Sequence, residues 1–203
     1  MTTWDTYRRA LGKTCSTKTY PTRREAMQAA ARSVKGKPVS EWPYHDGDGN
    51  ERLVVIRFDT ANGKGYRPIH KNEHGWCLGD PPEPLPLYCL PEILSRSNAT
   101  IYVCEGERAA DAARSIGLTT TTSAHGALAP KQTDWTPLAG RDVVVLPDND
   151  GPGGEYARSV AAILLRLNPP ATVRILPLPD LPESGDIVEF IETHKHEKGA
   201  EHG

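Results

Sequence analysis

The sequence lacks any long apolar run, and aromatic residues make up only 6% of it. No segment approaches the ~20 consecutive apolar residues of a membrane helix. The N-terminal run MTTWDTYRRALGK contains no apolar core of the kind found in signal peptides. We therefore expect a cytoplasmic protein that does not act at a membrane. With 203 residues, the chain can form one domain, or a small module beside a compact domain, around a substantial core.

Cysteine is also scarce, and its spacing excludes several classes of site. The four cysteines are Cys15, Cys77, Cys89 and Cys104, with no CxxC or CxxH pair among them. We therefore expect neither a zinc ribbon nor a disulfide framework, and predict no zinc and four reduced thiols. The GxxxxGK[ST] loop of nucleotide-dependent helicases is missing too, so no helicase is predicted within this sequence.

Charge is nearly balanced overall, at −2, but it is unevenly distributed. Residues 1–75 carry 14 Lys/Arg and 8 Asp/Glu, a net charge of +6, whereas the remainder carries 10 and 18, a net charge of −8. A basic surface for a polyanion beside a carboxylate-rich metal site would produce this distribution. An ordinary solvated surface would produce it equally well.

The first part of the chain predicts a helix followed by a small β meander. Residues 22–34 form the helix, because Thr22 with Glu25 three residues later makes a capping box. The runs LVVIRF, GYRPIH and GWCL are short and β-rich, and turn-forming clusters separate them. The proline-rich run DPPEPLPLYCLPEIL then predicts an irregular connector.

From residue 100 the pattern alternates between strands and helices. Predicted strands are ATIYVC, LTTTTSA, RDVVVLP and TVRILPL, and predicted helices cover residues 106–116, 154–167 and 185–196. Such alternation indicates an α/β fold with a parallel sheet covered by helices on both faces. The predicted division is an N-terminal helical segment (1–38), a basic antiparallel meander (39–80), a connector (81–99), an α/β domain (100–195) and a flexible tail (196–203).

Acidic residues follow two of the predicted parallel strands directly. Glu105 comes after ATIYVC, and Asp148 and Asp150 come after RDVVVLP. Functional groups collect at the carboxyl ends of such strands, and clustered carboxylates are costly unless a cation neutralises them. Oxygen ligands favour Mg²⁺ or Mn²⁺. Each feature alone has an ordinary explanation as a turn or a helix cap, but their order at two strand ends favours a metal site.

Glycines accompany both acidic clusters. Three of them would let a phosphate approach the backbone closely: Gly106, Gly151 and Gly153.

At these residues the chain resembles a known family. IYVCEGERAADAA and DVVVLPDND resemble the motifs of the TOPRIM domain, which bacterial (DnaG-like) primases, topoisomerases and some nucleases share. SAHGALAPKQ and SGDIVEF resemble two further segments of bacterial-type primases. Upstream, HDGDGN, VVIRF, GYRP, HGW and PLYCLPEIL occur in the order seen in phage and plasmid primases. The resemblance covers about residues 39–192.

The resemblance implies a TOPRIM (Rossmann-like) sheet preceded by a small β-rich domain, and a DNA primase activity. Glu105 would act as general acid/base or metal-linked carboxylate, Asp148 and Asp150 would bind Mg²⁺, and Asp186 would extend the metal site. The expected partners are a single-stranded DNA template, NTPs and a replicative helicase supplied in trans.

The sequence departs from the family pattern at two positions. Replicative primases carry aspartates where this chain has Ala109 and Val188. A TOPRIM nuclease, and a non-catalytic nucleic-acid-binding module, therefore remain alternatives to the primase.

Basic and aromatic residues suggest a template or nucleotide surface. Tyr66 and Trp76 are candidates for stacking on bases. The full set of predicted nucleic-acid or nucleotide contacts comprises Arg57, Lys64, Arg67, His70, Lys71, Trp76 and Lys131.

Overall fold

The chain folds into two compact units. A computed structural model describes residues 18–126 and 130–200, with side chains described as far as residue 194. The first unit comprises residues 18–44 together with Asn50–Pro82, and the second comprises His45–Gly49 together with the described residues from Glu83 onward. No helix in these described ranges is long and apolar enough to cross a membrane.

The first unit is a five-stranded sheet covered by one helix. Its elements are β1 (Thr19–Tyr20), α1 (Arg23–Val34), β2 (Lys37–His45), β3 (Glu51–Thr60), β4 (Gly63–Asn72) and β5 (Gly75–Leu78). The strand order is β1-β5-β4-β3-β2, and β1, β5, β4 and β3 pair antiparallel. The predicted meander is therefore present, but it also contains β2, which the sequence did not predict. Because β2 is an edge strand, Pro43 lies within it without breaking a central ladder.

Helix α1 begins at the predicted capping box. The Thr22 hydroxyl accepts a hydrogen bond from the Glu25 backbone N–H, and the Glu25 carboxylate accepts one from the Thr22 N–H. Small side chains, Ala26 and Ala30, let the helix approach the sheet closely, where they join a buried cluster. The sheet contributes Val54, Ile56, Phe58, Ile69 and Trp76 to that cluster.

The second unit is an α/β domain, as the sequence predicts. Its elements are α2 (Leu90–Ser95), β6 (Ile101–Cys104), α3 (Glu107–Ser115), β7 (Thr119–Thr121), β8 (Asp142–Leu146), α4 (Gly151–Leu164), β9 (Thr172–Ile175) and α5 (Ile187–Ala200). Short 3₁₀ helices occur at Pro130–Gln132 and Thr136–Leu138. All strand pairs in the order β7-β6-β8-β9 are parallel.

The strand order creates a switch point in the middle of the sheet. The chain leaves β6 through α3 toward β7 on one side, and leaves β8 through α4 toward β9 on the other. Because crossovers of this kind are right-handed, the two helices lie on opposite faces of the sheet. Ligands of open α/β sheets bind where the order reverses in this way, at the carboxyl ends of the strands. Here that point lies between β6 and β8.

The proline-rich segment is part of the second unit and not a free connector. Leu85, Leu87 and Ile93 are fully buried, and Leu87 and Ile93 pack in the same cluster as Val103 and Val145 of the sheet. The predicted connector at 81–99 is thus wrong in character, because its leucines and isoleucine close one face of the parallel sheet.

The described cysteines are free thiols, as predicted. Cys77 and Cys104 are buried and Cys89 is half-buried. Burial raises the pKa of the Cys89 thiol to about 11, so it is neutral at physiological pH. Cys15 lies outside the described residues, and so do residues 201–203 of the predicted flexible tail. That tail was predicted at 196–203, but residues 196–200 continue helix α5.

Two neighbouring residues of α2 test whether this segment belongs to the core. Ile93 is 0% exposed and Leu94 is 46% exposed. We expect Ile93→Ala to lower the free energy of unfolding by about 2–5 kcal/mol, since it leaves a cavity. We expect Leu94→Ala to change it by about 0.5 kcal/mol or less. Urea unfolding monitored by tryptophan fluorescence measures both, and equal losses would contradict a core role for this segment.

Candidate active site

The register of β6 and β8 places two carboxylates side by side. Cys104 pairs with Leu146, the last residues of the two strands. Glu105 follows the first strand immediately, and Asp148 follows the second after one proline. Both side chains are half-buried. The predicted convergence of these two carboxylates at the carboxyl end of the sheet is therefore present.

Burial and the charges of neighbouring carboxylates disfavour ionisation of both side chains. Burial, together with the charges of Asp150 and Asp186, raises the pKa of Glu105 from 4.5 to about 7. Burial, and then the charges of Glu105 and Asp186, raises the pKa of Asp148 from 3.8 to about 7. Glu105 Oε2 is buried and has no hydrogen-bond partner among the described residues. A cation at this position would satisfy that oxygen and remove the repulsion.

Asp150 also serves as a helix cap. Its side chain accepts a hydrogen bond of 2.7 Å from the Gly153 N–H, at the first turn of α4. This explains why α4 begins at Gly151, three residues before the predicted start at 154. One carboxylate oxygen of Asp150 is thereby used in the cap, so the predicted role of this residue as a metal ligand rests on its other oxygen.

Asp186 caps the start of α5 and also pairs with Glu189, an arrangement that was not predicted from the sequence. Its side chain accepts from the Val188 N–H, and its own N–H donates to the Glu189 carboxylate at 2.9 Å. That backbone N–H lowers the pKa of Glu189, while burial and the hydrogen bond to Glu189 raise the pKa of Asp186. The signal was present in the sequence as Asp-x-x-Glu before an apolar run.

A short chain of hydrogen bonds fixes the end of β6. The Tyr156 hydroxyl of α4 lies 3.3 Å from the Cys104 carbonyl and 3.0 Å from the Ser123 hydroxyl. The Ser123 hydroxyl in turn donates to the Gly126 carbonyl at 3.2 Å. These buried contacts hold the backbone that leads into Glu105 against both the following loop and α4.

Two glycines allow the backbone to pack closely around the carboxylates. At Gly126, where φ is +52°, an added Cβ would lie 2.6 Å from the Glu105 carbonyl oxygen. At Gly153 it would lie 2.4 Å from the Asp148 carbonyl oxygen. Gly153 is thus explained by packing within the protein. Gly106 and Gly151 have open space where a Cβ would stand, so phosphate approach at these two positions stays a prediction.

The fit to a metal ion is partial. Across residues 18–126 and the described residues from 130 onward, no three His, Cys, Asp or Glu side chains are grouped closely enough to hold one ion together. Mg²⁺ nevertheless needs few protein ligands, since it usually keeps several waters and binds through one or two carboxylates plus substrate phosphates. Glu105 Oε2 and the Asp148 carboxylate meet that requirement, so an oxygen-ligated Mg²⁺ or Mn²⁺ fits this donor set.

The two departures from the primase pattern are buried apolar positions. Ala109 on α3 is almost fully buried, and so is Val188 on α5. Helices α3 and α5 pack against each other. Neither position supplies a carboxylate, so no ligand for a second ion comes from them.

Two predicted nucleic-acid contacts are corrected by their burial. His70 is 2% exposed, and its Nδ1 lies 2.9 Å from the Gly79 carbonyl oxygen. Trp76 is 8% exposed and packs in the cluster beneath α1. The register puts Trp76 on the helix-covered face and His70 on the opposite face. Both rings are buried where they lie, so neither can stack on a base.

The remaining basic residues of the sheet lie on two opposite faces. Arg67 pairs with Ile56, and Lys71 pairs with Trp76. Ile56 and Trp76 belong to the cluster beneath α1, so Arg67 and Lys71 lie on the helix-covered face. Arg57 pairs with Tyr66 across the ladder, and strand alternation places both on the face away from the helix.

That other face carries an aromatic pair as well. Tyr66 is 38% exposed and stacks on Trp42, with ring centroids 6.5 Å apart. Arg57 reaches Asp59 at 3.5 Å, and Lys64 is exposed opposite Asp59. An exposed ring beside cations is typical of surfaces that bind single-stranded nucleic acid. We call the residues Trp42, Arg57, Lys64 and Tyr66 the aromatic face.

Lys131 lies on the short helix Pro130–Gln132 and is exposed. Residues 127–129, in the primase-like loop before it, lie outside the described residues. Its predicted contact with a phosphate stays a prediction.

Solved structures of primases share this fold. The DnaG catalytic core matches with a TM-score of 0.51 and 16% identity, over 82% of this chain and 55% of that one. The E. coli primase catalytic core matches with a TM-score of 0.52 and 15% identity, over 75% and 47% of the two chains. The zinc-binding and RNA polymerase domains of the Aquifex aeolicus primase match with a TM-score of 0.52 and 19% identity, over 90% of this chain and 49% of that one.

The chain has the fold of the DnaG primase catalytic core. It spans about half the length of these matched structures. No protein-family profile and no curated protein matches the sequence. At these identities the likeness concerns the fold alone.

The raised pKa values predict how stability changes with pH in the absence of metal. Asp148 titrates near 3.8 when unfolded and near 7 when folded, so the folded state binds more protons between these pKa values. The contribution of this group to stability is present below pH 4 and is lost as pH rises toward 7. Between pH 5 and 7.5, we expect the free energy of unfolding of wild type to fall by about 1 kcal/mol relative to that of Asp148→Asn. This figure allows for solvent screening of the half-buried carboxylate.

Chemical denaturation in EDTA at the two pH values measures this difference. The exposed carboxylate of Glu155 provides the control, since Glu155→Gln should follow wild type at both pH values. If the difference in unfolding free energy between wild type and Asp148→Asn were the same at both pH values, Asp148 would titrate normally in the folded protein.

Proposed function

We propose that this chain is a TOPRIM-type primase module, which joins ribonucleotides on a single-stranded DNA template in phage or plasmid replication. The observation that carries the proposal is the pair Glu105 and Asp148, held half-buried at the switch point of a sheet with the primase fold. The basic first unit supports a polyanionic template, and the primase-like sequence segments favour a primase over a nuclease. A replicative helicase would act as a separate chain.

Each residue of the site has a part in the proposed reaction. Glu105 Oε2 is buried and has no hydrogen-bond partner in the described part of the chain, so it can take up the proton of the primer 3′-hydroxyl or ligate the ion. Asp148 would hold the ion, with Asp186 and the uncapped oxygen of Asp150 beside it. When bound, Mg²⁺ would neutralise the developing charge on the transferred phosphate. Open space beside the backbone at Gly106 and Gly151 would let a phosphate approach there.

Primer synthesis tests this proposal directly. Labelled NTPs and single-stranded DNA, with and without Mg²⁺, should give products longer than a dinucleotide only with the metal. Asp148→Asn and Glu105→Gln should each reduce product by about 100-fold or more, because each removes a carboxylate from the reacting centre. Glu155→Gln, an exposed carboxylate on α4, should leave the yield unchanged.

The same reaction distinguishes the alternatives. Cleavage of the template would identify a nuclease that uses these carboxylates with water as nucleophile. Template binding without synthesis or cleavage, unaffected by Asp148→Asn, would identify a non-catalytic binding module.

The template surface is proposed to be the aromatic face. Arg57→Gln with Lys64→Gln should weaken binding of a labelled oligothymidylate, and the salt slope should become shallower by about 1.4, or 0.7 for each phosphate that is no longer neutralised. Arg67→Gln with Lys71→Gln is the charge-matched control on the opposite face of the same sheet. Fluorescence anisotropy across a salt series measures both. If the control variant lost more affinity for the oligonucleotide, the template would bind on the helix-covered face instead.

A further inference from the structure

Asn149, between the two aspartates, joins two loops of the site. Its side-chain amide donates to the Leu181 carbonyl at 2.9 Å and to the Pro182 carbonyl at 3.0 Å. Its backbone N–H donates to the Gly185 carbonyl at 2.8 Å, and its own carbonyl accepts from the Ser184 N–H at 3.1 Å. One residue thus makes four hydrogen bonds to the segment that precedes Asp186.

These four bonds are the whole hydrogen-bonded link between the loops. Within the described part of the chain, every hydrogen bond between residues 147–150 and 181–186 involves Asn149. The segment 181–185 then leads directly into Asp186 at the start of α5. The hydrogen-bonded placement of Asp186 relative to Asp148 therefore depends on Asn149.

The link opposes an electrostatic force. The charge of Asp186 acts on Asp148, so the two carboxylates repel each other across this junction. Without metal, repulsion favours separation of the loops. Hydrogen bonds from an amide to two carbonyls hold them together without adding charge.

We propose that Asn149 is a positioning residue, which holds Asp186 beside Asp148 so that the site is preorganised for a divalent cation. The inference rests on the proposed function only in taking a metal to be the occupant. The Leu181 and Pro182 carbonyls both accept from the same side chain, so that side chain must be short and carry two N–H donors. Asparagine supplies both. An aspartate of the same shape would set its oxygens against those carbonyls, and a serine would serve only one of them.

Binding of Mn²⁺, followed by the electron paramagnetic resonance signal of the free ion, tests the inference without any catalytic assay. We expect Asn149→Ala to weaken Mn²⁺ binding by about 10-fold or more, in the range found when groups that orient metal ligands are removed. Asn149→Ser, which keeps one donor, should lie between Asn149→Ala and wild type. Asn98→Ala is the matched control, since Asn98 is exposed and lies in a turn before β6.

A second measurement separates positioning from a merely structural role. In EDTA, Asn149→Ala should unfold within about 1 kcal/mol of wild type, because the hydrogen bonds it removes are exposed and the repulsion is relieved. Hydrogen exchange of the Ser184 amide should be faster in this variant, which reports release of the loop.

The outcomes keep this inference apart from the proposed function. Equal Mn²⁺ affinity in wild type and Asn149→Ala would overturn it, and so would a wild type that binds no Mn²⁺ at all. Weakened Mn²⁺ binding in Asn149→Ala upholds it even where wild type synthesises no primer, in which case the proposed function alone is wrong.

Discussion

Two carboxylates held half-buried at the ends of adjacent parallel strands are the constraint around which the second unit is arranged. The ladder between β6 and β8 fixes Glu105 and Asp148 as neighbours whatever their charge. Burial and neighbouring negative charges raise both pKa values, so the ionised pair is unfavourable without a counter-ion. Several independent devices maintain it: the Tyr156 and Ser123 hydroxyls, the close backbone approach at Gly126 and Gly153, and the Asn149 link. Carboxylates with perturbed pKa values, held in place in this way, are typical of functional sites.

Sequence reasoning recovered the α/β order and the two main carboxylates because those features are local. Strand runs such as RDVVVLP are apolar throughout, and an acidic residue directly after them must lie at a sheet edge. The helix α1 capping box was likewise readable from Thr22 and Glu25. Strand β2 was missed because Pro43 interrupts an already irregular pattern, and only its edge position makes the proline acceptable.

Predictions were wrong or missing where the role of a residue depends on the burial of its side chain or on a partner far along the chain. Residue type makes His70 and Trp76 candidates for nucleic-acid contact, but each is buried, on opposite faces of the sheet. The proline-rich segment looked like a connector because proline dominates its composition, while its buried leucines act in the core. Asn149 gave no signal, since its partners lie more than thirty residues further along the chain.

The departures at Ala109 and Val188 bear on how such a site would operate. Both positions are buried and apolar, and Asp150 and Asp186 each have an oxygen engaged in a helix cap. Few carboxylate oxygens are then left for an ion, and a cation held by one or two carboxylates keeps most of its waters. Substrate phosphates are the natural replacements for those waters. Under the proposed function, ion and nucleotide would therefore bind cooperatively. The ion would neutralise the charges of the phosphates and the carboxylates. The phosphates would supply the ligands that the protein itself does not provide.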